Sequence, residues 1–92
     1  MKEIVVNCCY GGFGLSKFAV ERLGNDTYFF LEHREDKELI ALLKEYGTEK
    51  IGGTFAELQI VEIPDNSTDY YIDEYDGMET VIYVVDGKIH FA

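Results

Sequence analysis

Hydrophobic residues appear in several differently patterned groups along the chain, and each pattern points to its own element. Ile4-Val5-Val6 is apolar at successive positions, so Glu3 to Asn7 predicts a strand covered on both faces. A glycine-rich turn, Cys9 to Gly14, follows it. Leu15, Ala19 and Leu23 then recur at helical spacing with Phe18 beside them. A helix over Lys17 to Leu23 is predicted, capped by the Ser16 hydroxyl and stopped at Gly24.

After an Asn25-Asp26 turn, the β-branched and aromatic run Thr27-Tyr28-Phe29-Phe30-Leu31 predicts a second strand. Asp36 is placed to cap a longer helix, Lys37 to Tyr46, with Leu39, Ile40, Leu42, Leu43 and Tyr46 at helical spacing and Gly47 closing it. Gly52-Gly53 breaks the chain before a strand expected over Thr54 to Ile63, which Pro64-Asp65-Asn66 ends. Within it, Leu58 and Ile60 alternate to one side, Val61 and Ile63 to the other. Either both faces are covered or a bulge re-phases the strand. Tyr70-Tyr71-Ile72 is a short extended piece leading into Asp76-Gly77. Thr80 to Val85 and Lys88 to Phe91 form a hairpin, because Asp86-Gly87 supplies the positive φ angles of a type I′ turn.

Taken together, residues 1–92 read as a single α/β (α+β) domain. A small mixed β-sheet carries two helices on one face and ends in a C-terminal β-hairpin. Ninety-two residues leave no room for a second core, and a chain of this size buries roughly 60–65% of its unfolded surface. A hydrophobic content of 47% with a single proline argues against disorder. No apolar run approaches the roughly 20 residues of a membrane helix, and the N-terminus lacks the apolar segment of a signal peptide. Cys8 and Cys9 are adjacent and so do not form a disulfide framework, which points to a reducing cytoplasm.

Charge adds a second map to this one. The net charge is −10, and it is unevenly placed. Residues 1–50 hold nine acids and seven bases, whereas residues 51–92 hold nine acids and only Lys88. Such a surface excludes direct binding to nucleic acid or to an anionic membrane, both of which need clustered Lys and Arg. It suits a host protein with a basic surface, with plain solubility as the alternative.

Two groups of residues are candidates for function. Asn7, Cys9, Tyr10, Gly11, Gly12, Gly14 and Ser16 join a strand end to a helix start, where backbone amides can hold a phosphate or carboxylate. Arg34 would complete such an anion site; otherwise it pairs with a nearby acid. The glycine spacing is neither the dinucleotide fingerprint nor a P-loop, and a turn that only shapes the chain competes with the ligand reading. The second group is Asp69, Tyr70, Tyr71, Asp73, Glu74, Tyr75, Asp76 and Glu79, acids interleaved with tyrosines that can anchor a protein partner, against the alternative of a solvated face.

Neither catalysis nor metal binding is expected. Cys9 as nucleophile would need His33 or His90 as base. Cys8, Cys9, His33 and His90 lack zinc-site spacing, and adjacent cysteines on a strand point apart. No cofactor is implied. The oligomeric state is not legible.

The stretch Asn7, Cys9, Tyr10, Gly11, Gly12, Phe13, Gly14, Leu15, Ser16, followed by Ala19, resembles the opening of a family of short uncharacterised proteins of bacteriophages and bacterial prophages. His33-Arg34 with Asp36, Leu58 with Ile60 to Pro64, and Ile72 to Gly77 extend the resemblance in the same order over most of the chain. Lys37 stands where similar sequences tend to carry proline. The chain ends in a hairpin where they commonly end in a more basic or Trp-containing tail. The resemblance implies a phage or mobile-element context and no particular chemistry. With the charge map, it leads to the expectation of a small acidic non-enzymatic binding protein that inhibits a host factor, such as an anti-CRISPR or other anti-defence protein. A ligand-binding protein or minor enzyme built on the glycine turn with Cys9 and Arg34 is the alternative.

Overall fold

The first strand, β1 (Lys2–Asn7), is apolar on both faces because it runs through the middle of the molecule. The computed structural model describes residues 1–92. In it β1 pairs antiparallel with β2 (Leu58–Ile63), Lys2 opposite Ile63 and Asn7 opposite Leu58, with no residue skipped. Of the two readings of β2, coverage on both faces is therefore the one realised. Val5, Leu58 and Ile60 face a core of helices; Ile4, Val6, Val61 and Ile63 face a second sheet. Ile4, Val5 and Ile63 are fully buried, each contributing about 1.5–3 kcal/mol.

Four short helices cover one face of this ribbon. The first, α1 (Lys17–Leu23), begins where the Ser16 hydroxyl accepts from the Ala19 amide at 3.1 Å, and Gly24 ends it at φ 75°. Between this helix and the next, α2 (Thr27–Leu31) corrects the expectation of a strand. The Asp26 carboxylate accepts from the Phe29 amide at 3.1 Å, so a cap outweighs the strand preference of aromatic residues. Phe30 is the buried residue of this turn. The third helix, α3 (Lys37–Tyr46), has the expected bounds, with Asp36 capping Leu39 at 2.9 Å. It supplies Leu39, Ile40, Leu42 and Leu43 to the core. A fourth, α4 (Thr48–Ile51), was not foreseen; its Thr48 hydroxyl accepts from the Leu58 amide at 2.7 Å and sets where β2 starts. Residues 54–57, expected as strand, are instead the loop before it.

Strands β3 (Asp69–Tyr75), β4 (Met78–Val85) and β5 (Lys88–Phe91) form an antiparallel meander in that order. Both turns are Asp-Gly pairs with positive φ: Asp76 and Gly77, then Asp86 and Gly87. The α+β class and the C-terminal hairpin are as expected. The strands, however, divide into two antiparallel sheets rather than one mixed sheet. The result is three layers: helices, the β1–β2 ribbon, and the β3–β5 sheet, whose Tyr70, Ile72, Val81 and Tyr83 pack on the ribbon.

Candidate functional site

Asn7 and Arg34, both candidates for a ligand site, are spent inside the protein. Arg34 is 7% exposed. Its Nη1 and Nη2 donate to Glu79 Oε1 and Oε2, each at 2.7 Å, while Nη1 also donates to the Val5 carbonyl and Nε to that of Leu31. The guanidinium carbon lies 4.0 Å from the centre of the Phe13 ring, at cation–π distance. Arg34 does pair with an acid, but one 45 residues away rather than a sequence neighbour.

Asn7 has no exposed surface. Its backbone amide donates to Glu79 Oε1, and its side-chain Nδ2 donates to the carbonyls of Cys9 and Gly77, all at 2.7 Å. Its Oδ1 accepts from the Glu57 amide, also at 2.7 Å. One asparagine thus ties β1, the glycine turn, the β3–β4 turn and the start of β2 together. Every buried side-chain nitrogen and oxygen in the protein has a partner within it.

The glycines of the turn are used for close approach. A Cβ on Gly11 would stand 1.7 Å from the Phe55 carbonyl oxygen, and one on Gly77 would stand 2.5 Å from the Gly12 nitrogen. Gly12 itself has φ 103°. The two stretches that carried the resemblance, at 7–16 and 72–77, are therefore in contact with each other. A Cβ on Gly14 would meet nothing within 4 Å, so this is the one glycine of the turn that neither space nor φ requires.

Ser16 combines its cap with a 2.7 Å hydrogen bond to the Lys50 carbonyl. Cys9 donates to the Phe55 carbonyl at 3.1 Å, with Asn7 Oδ1 at 3.4 Å as a second acceptor. Beside them lies an open groove of about 920 Å³ whose walls include Cys9, Gly11, Ser16, Lys17, Glu49 and Glu57. Tyr10 points to solvent. Of the expected ligand residues, Cys9, Gly11 and Ser16 line this groove while Asn7 and Arg34 do not.

The cysteines and histidines lie apart. His33 hydrogen-bonds the Phe29 carbonyl at 2.7 Å and stacks on the Phe29 ring, while His90 stacks on Tyr83 in the β3–β5 sheet. No three His, Cys, Asp or Glu side chains converge. Burial pushes the Cys8 thiol above its usual range, and the carboxylates of Glu57 and Glu79 push it further.

Strand alternation divides the expected partner residues in two. Glu79 is buried on Arg34 and is not a surface acid. Tyr70 turns inward, and its hydroxyl donates to Glu35 Oε2 at 2.6 Å. Burial first, then this hydrogen bond and the Glu35 charge, push the phenol up to about 12. Glu74 accepts from the Gly77 amide at 2.6 Å and holds the turn. Asp69, Tyr71, Asp73 and Tyr75 alternate to the outer side, away from the ribbon, and Asp76 occupies the turn.

Ile82, Ile89 and Phe91 lie on that same outer side and were not singled out from the sequence. The signal was there: Val81 to Val85 is apolar at both parities, so one apolar set had to face away from the core. No helix is long and apolar enough to cross a membrane. No family model, curated protein or solved structure matches the chain.

Proposed function

We propose that this is a non-enzymatic binding protein that occupies a basic surface on a host protein and thereby inhibits it. The observation that carries the reading is unpaired negative charge. Of the nine acids in residues 51–92, Glu79 pairs with Arg34 and Asp65 with the terminal ammonium. The other seven, Asp69 and Asp73 among them, have no cationic partner. A field of uncompensated acids accelerates and orders docking on a basic groove. Nucleic-acid-processing defence enzymes of the bacterial cytoplasm have such grooves. A phage or mobile-element origin, taken from the resemblance, supplies a setting in which blocking one is useful.

The test is capture of host proteins on the tagged chain at stepped salt, beside a variant carrying Asp69→Lys and Asp73→Lys. A partner released by salt and lost in the variant supports the reading. The same partner held equally by both chains, or none at all, removes it.

A further inference from the structure

Resting on the reading of a basic partner, we infer that the docking surface is the outer face of the β3–β4–β5 sheet, and that its occupant is a cationic amphipathic segment of another protein. This face presents Asp69, Tyr71, Asp73 and Tyr75 on β3, with Ile82 and Val84 on β4 and Ile89 and Phe91 on β5. Tyr71 stands opposite Ile82, which stands opposite Phe91, so the apolar side chains form a continuous band across all three strands. Tyr71, Ile89 and Phe91 are 52%, 62% and 71% exposed, while Ile82 between them is 8% exposed, so the accessible part of the band is Tyr71, Ile89 and Phe91. The solvent side of an antiparallel sheet is ordinarily polar; an apolar one marks a surface that something covers.

The charges on this face decide what covers it. Asp69 and Asp73 flank Tyr71 on the same side of one strand, and no Lys or Arg lies among the outward residues. The nearest base in sequence, Lys88, alternates with His90 to the other side. An apolar partner would strip water from both carboxylates without replacing it, which is costly. A second copy of this chain would bring the same two acids and another net charge of −10 against them. A segment with apolar residues set on Tyr71, Ile89 and Phe91 and with Lys or Arg reaching Asp69 and Asp73 satisfies both halves of the face. Aromatic anchors beside charged groups are the usual make-up of a binding hot spot.

Amide chemical shifts of the labelled protein, titrated with a short amphipathic leucine–lysine helix and with a lysine-only peptide of equal charge, test this. The amphipathic probe is expected to shift Tyr71, Ile82, Ile89 and Phe91 and to bind about tenfold more tightly than the lysine-only peptide. Affinity should fall about tenfold both in Ile89→Ser with Phe91→Ser and in Asp69→Lys with Asp73→Lys. Those positions are solvent-facing, and unchanged circular dichroism shows that the fold is kept.

Shifts that map to another surface overturn the inference, as does equal binding by the serine variant. A salt-insensitive dimer that the serine variant dissolves would make the occupant a second copy and also overturn it. A host protein captured equally well by the serine variant would remove this face while leaving the basic-partner reading in place. Failure of both the peptide and host capture removes both.

Discussion

Arg34 and Glu79 meet in a bidentate ion pair, with both nitrogen–oxygen distances 2.7 Å, at the point where all three layers of the protein come together. The arginine follows α2 and the glutamate lies on β4. The backbone of β1 flanks the pair, the Val5 carbonyl accepting from the arginine and the Asn7 amide donating to the glutamate, and the ring of Phe13 lies against the guanidinium. A buried pair of this kind adds little over well-packed apolar residues, but it strongly penalises any arrangement in which one member is missing.

Glu79→Ala is accordingly expected to cost about 3–5 kcal/mol, since it leaves a buried guanidinium without its counter-charge and the Asn7 amide without an acceptor. That is a large share of the stability of a small domain. The double variant Arg34→Met with Glu79→Met should recover much of the loss. Urea denaturation of the three chains decides the matter; a cost below about 1 kcal/mol for Glu79→Ala would show that the pair is not what joins the layers.

The glycines of the turn should separate by position. Gly11→Ala and Gly77→Ala each place a methyl against backbone, at 1.7 and 2.5 Å, and Gly77 also has φ 89°. Each is expected to lose about 2 kcal/mol or more. Gly14→Ala, with open space around it, should change stability by about 0.5 kcal/mol at most. Equal effects at the three positions would mean that close approach is not the reason for the glycines.

Tyr70 should report on itself by pH. Its phenol is pushed up to about 12, above the roughly 10 of an unfolded chain. The folded state therefore favours the protonated form. The stability this adds is complete below pH 10 and is lost as the pH climbs through about 12. In an ultraviolet titration of tyrosinate, Tyr70→Phe should delete the last-ionising step. Glu35→Gln should move that step down without fully normalising it, because burial is the larger cause. An unaltered titration in Tyr70→Phe would assign the late step elsewhere.

Asp26 should be what keeps α2 helical. Asp26→Ala removes the acceptor for the Phe29 amide and is expected to cost about 1 kcal/mol, with faster hydrogen exchange at Phe29 than at Leu39 of α3. Unchanged exchange at Phe29 would mean that burial of Phe30 alone holds this turn.

Local chemistry was readable residue by residue. Ser16 and Asp36 with their closing glycines marked α1 and α3, Asp86-Gly87 marked the last hairpin, and the apolar run of β1 marked a strand covered twice, because each depends on neighbours a few residues away. Asp26 and Asp76-Gly77 carried the same kinds of signal. At Asp26 the strand preference of the aromatic residues that follow outweighs the cap in the sequence pattern, whereas the length of β3 beyond Ile72, up to the Asp76-Gly77 turn, is set by its pairing with β4. What no local pattern contains is the pairing of distant groups. Arg34 reaching Glu79, Asn7 reaching Gly77, and Gly11 lying under Phe55 are contacts across dozens of residues, set by how the three layers stack. Those contacts turned two ligand candidates into internal fasteners. The period of two along β3 likewise sent Tyr70 inward and left Tyr71 beside Ile82 on the open face, a division that depends on which side of the strand the ribbon covers.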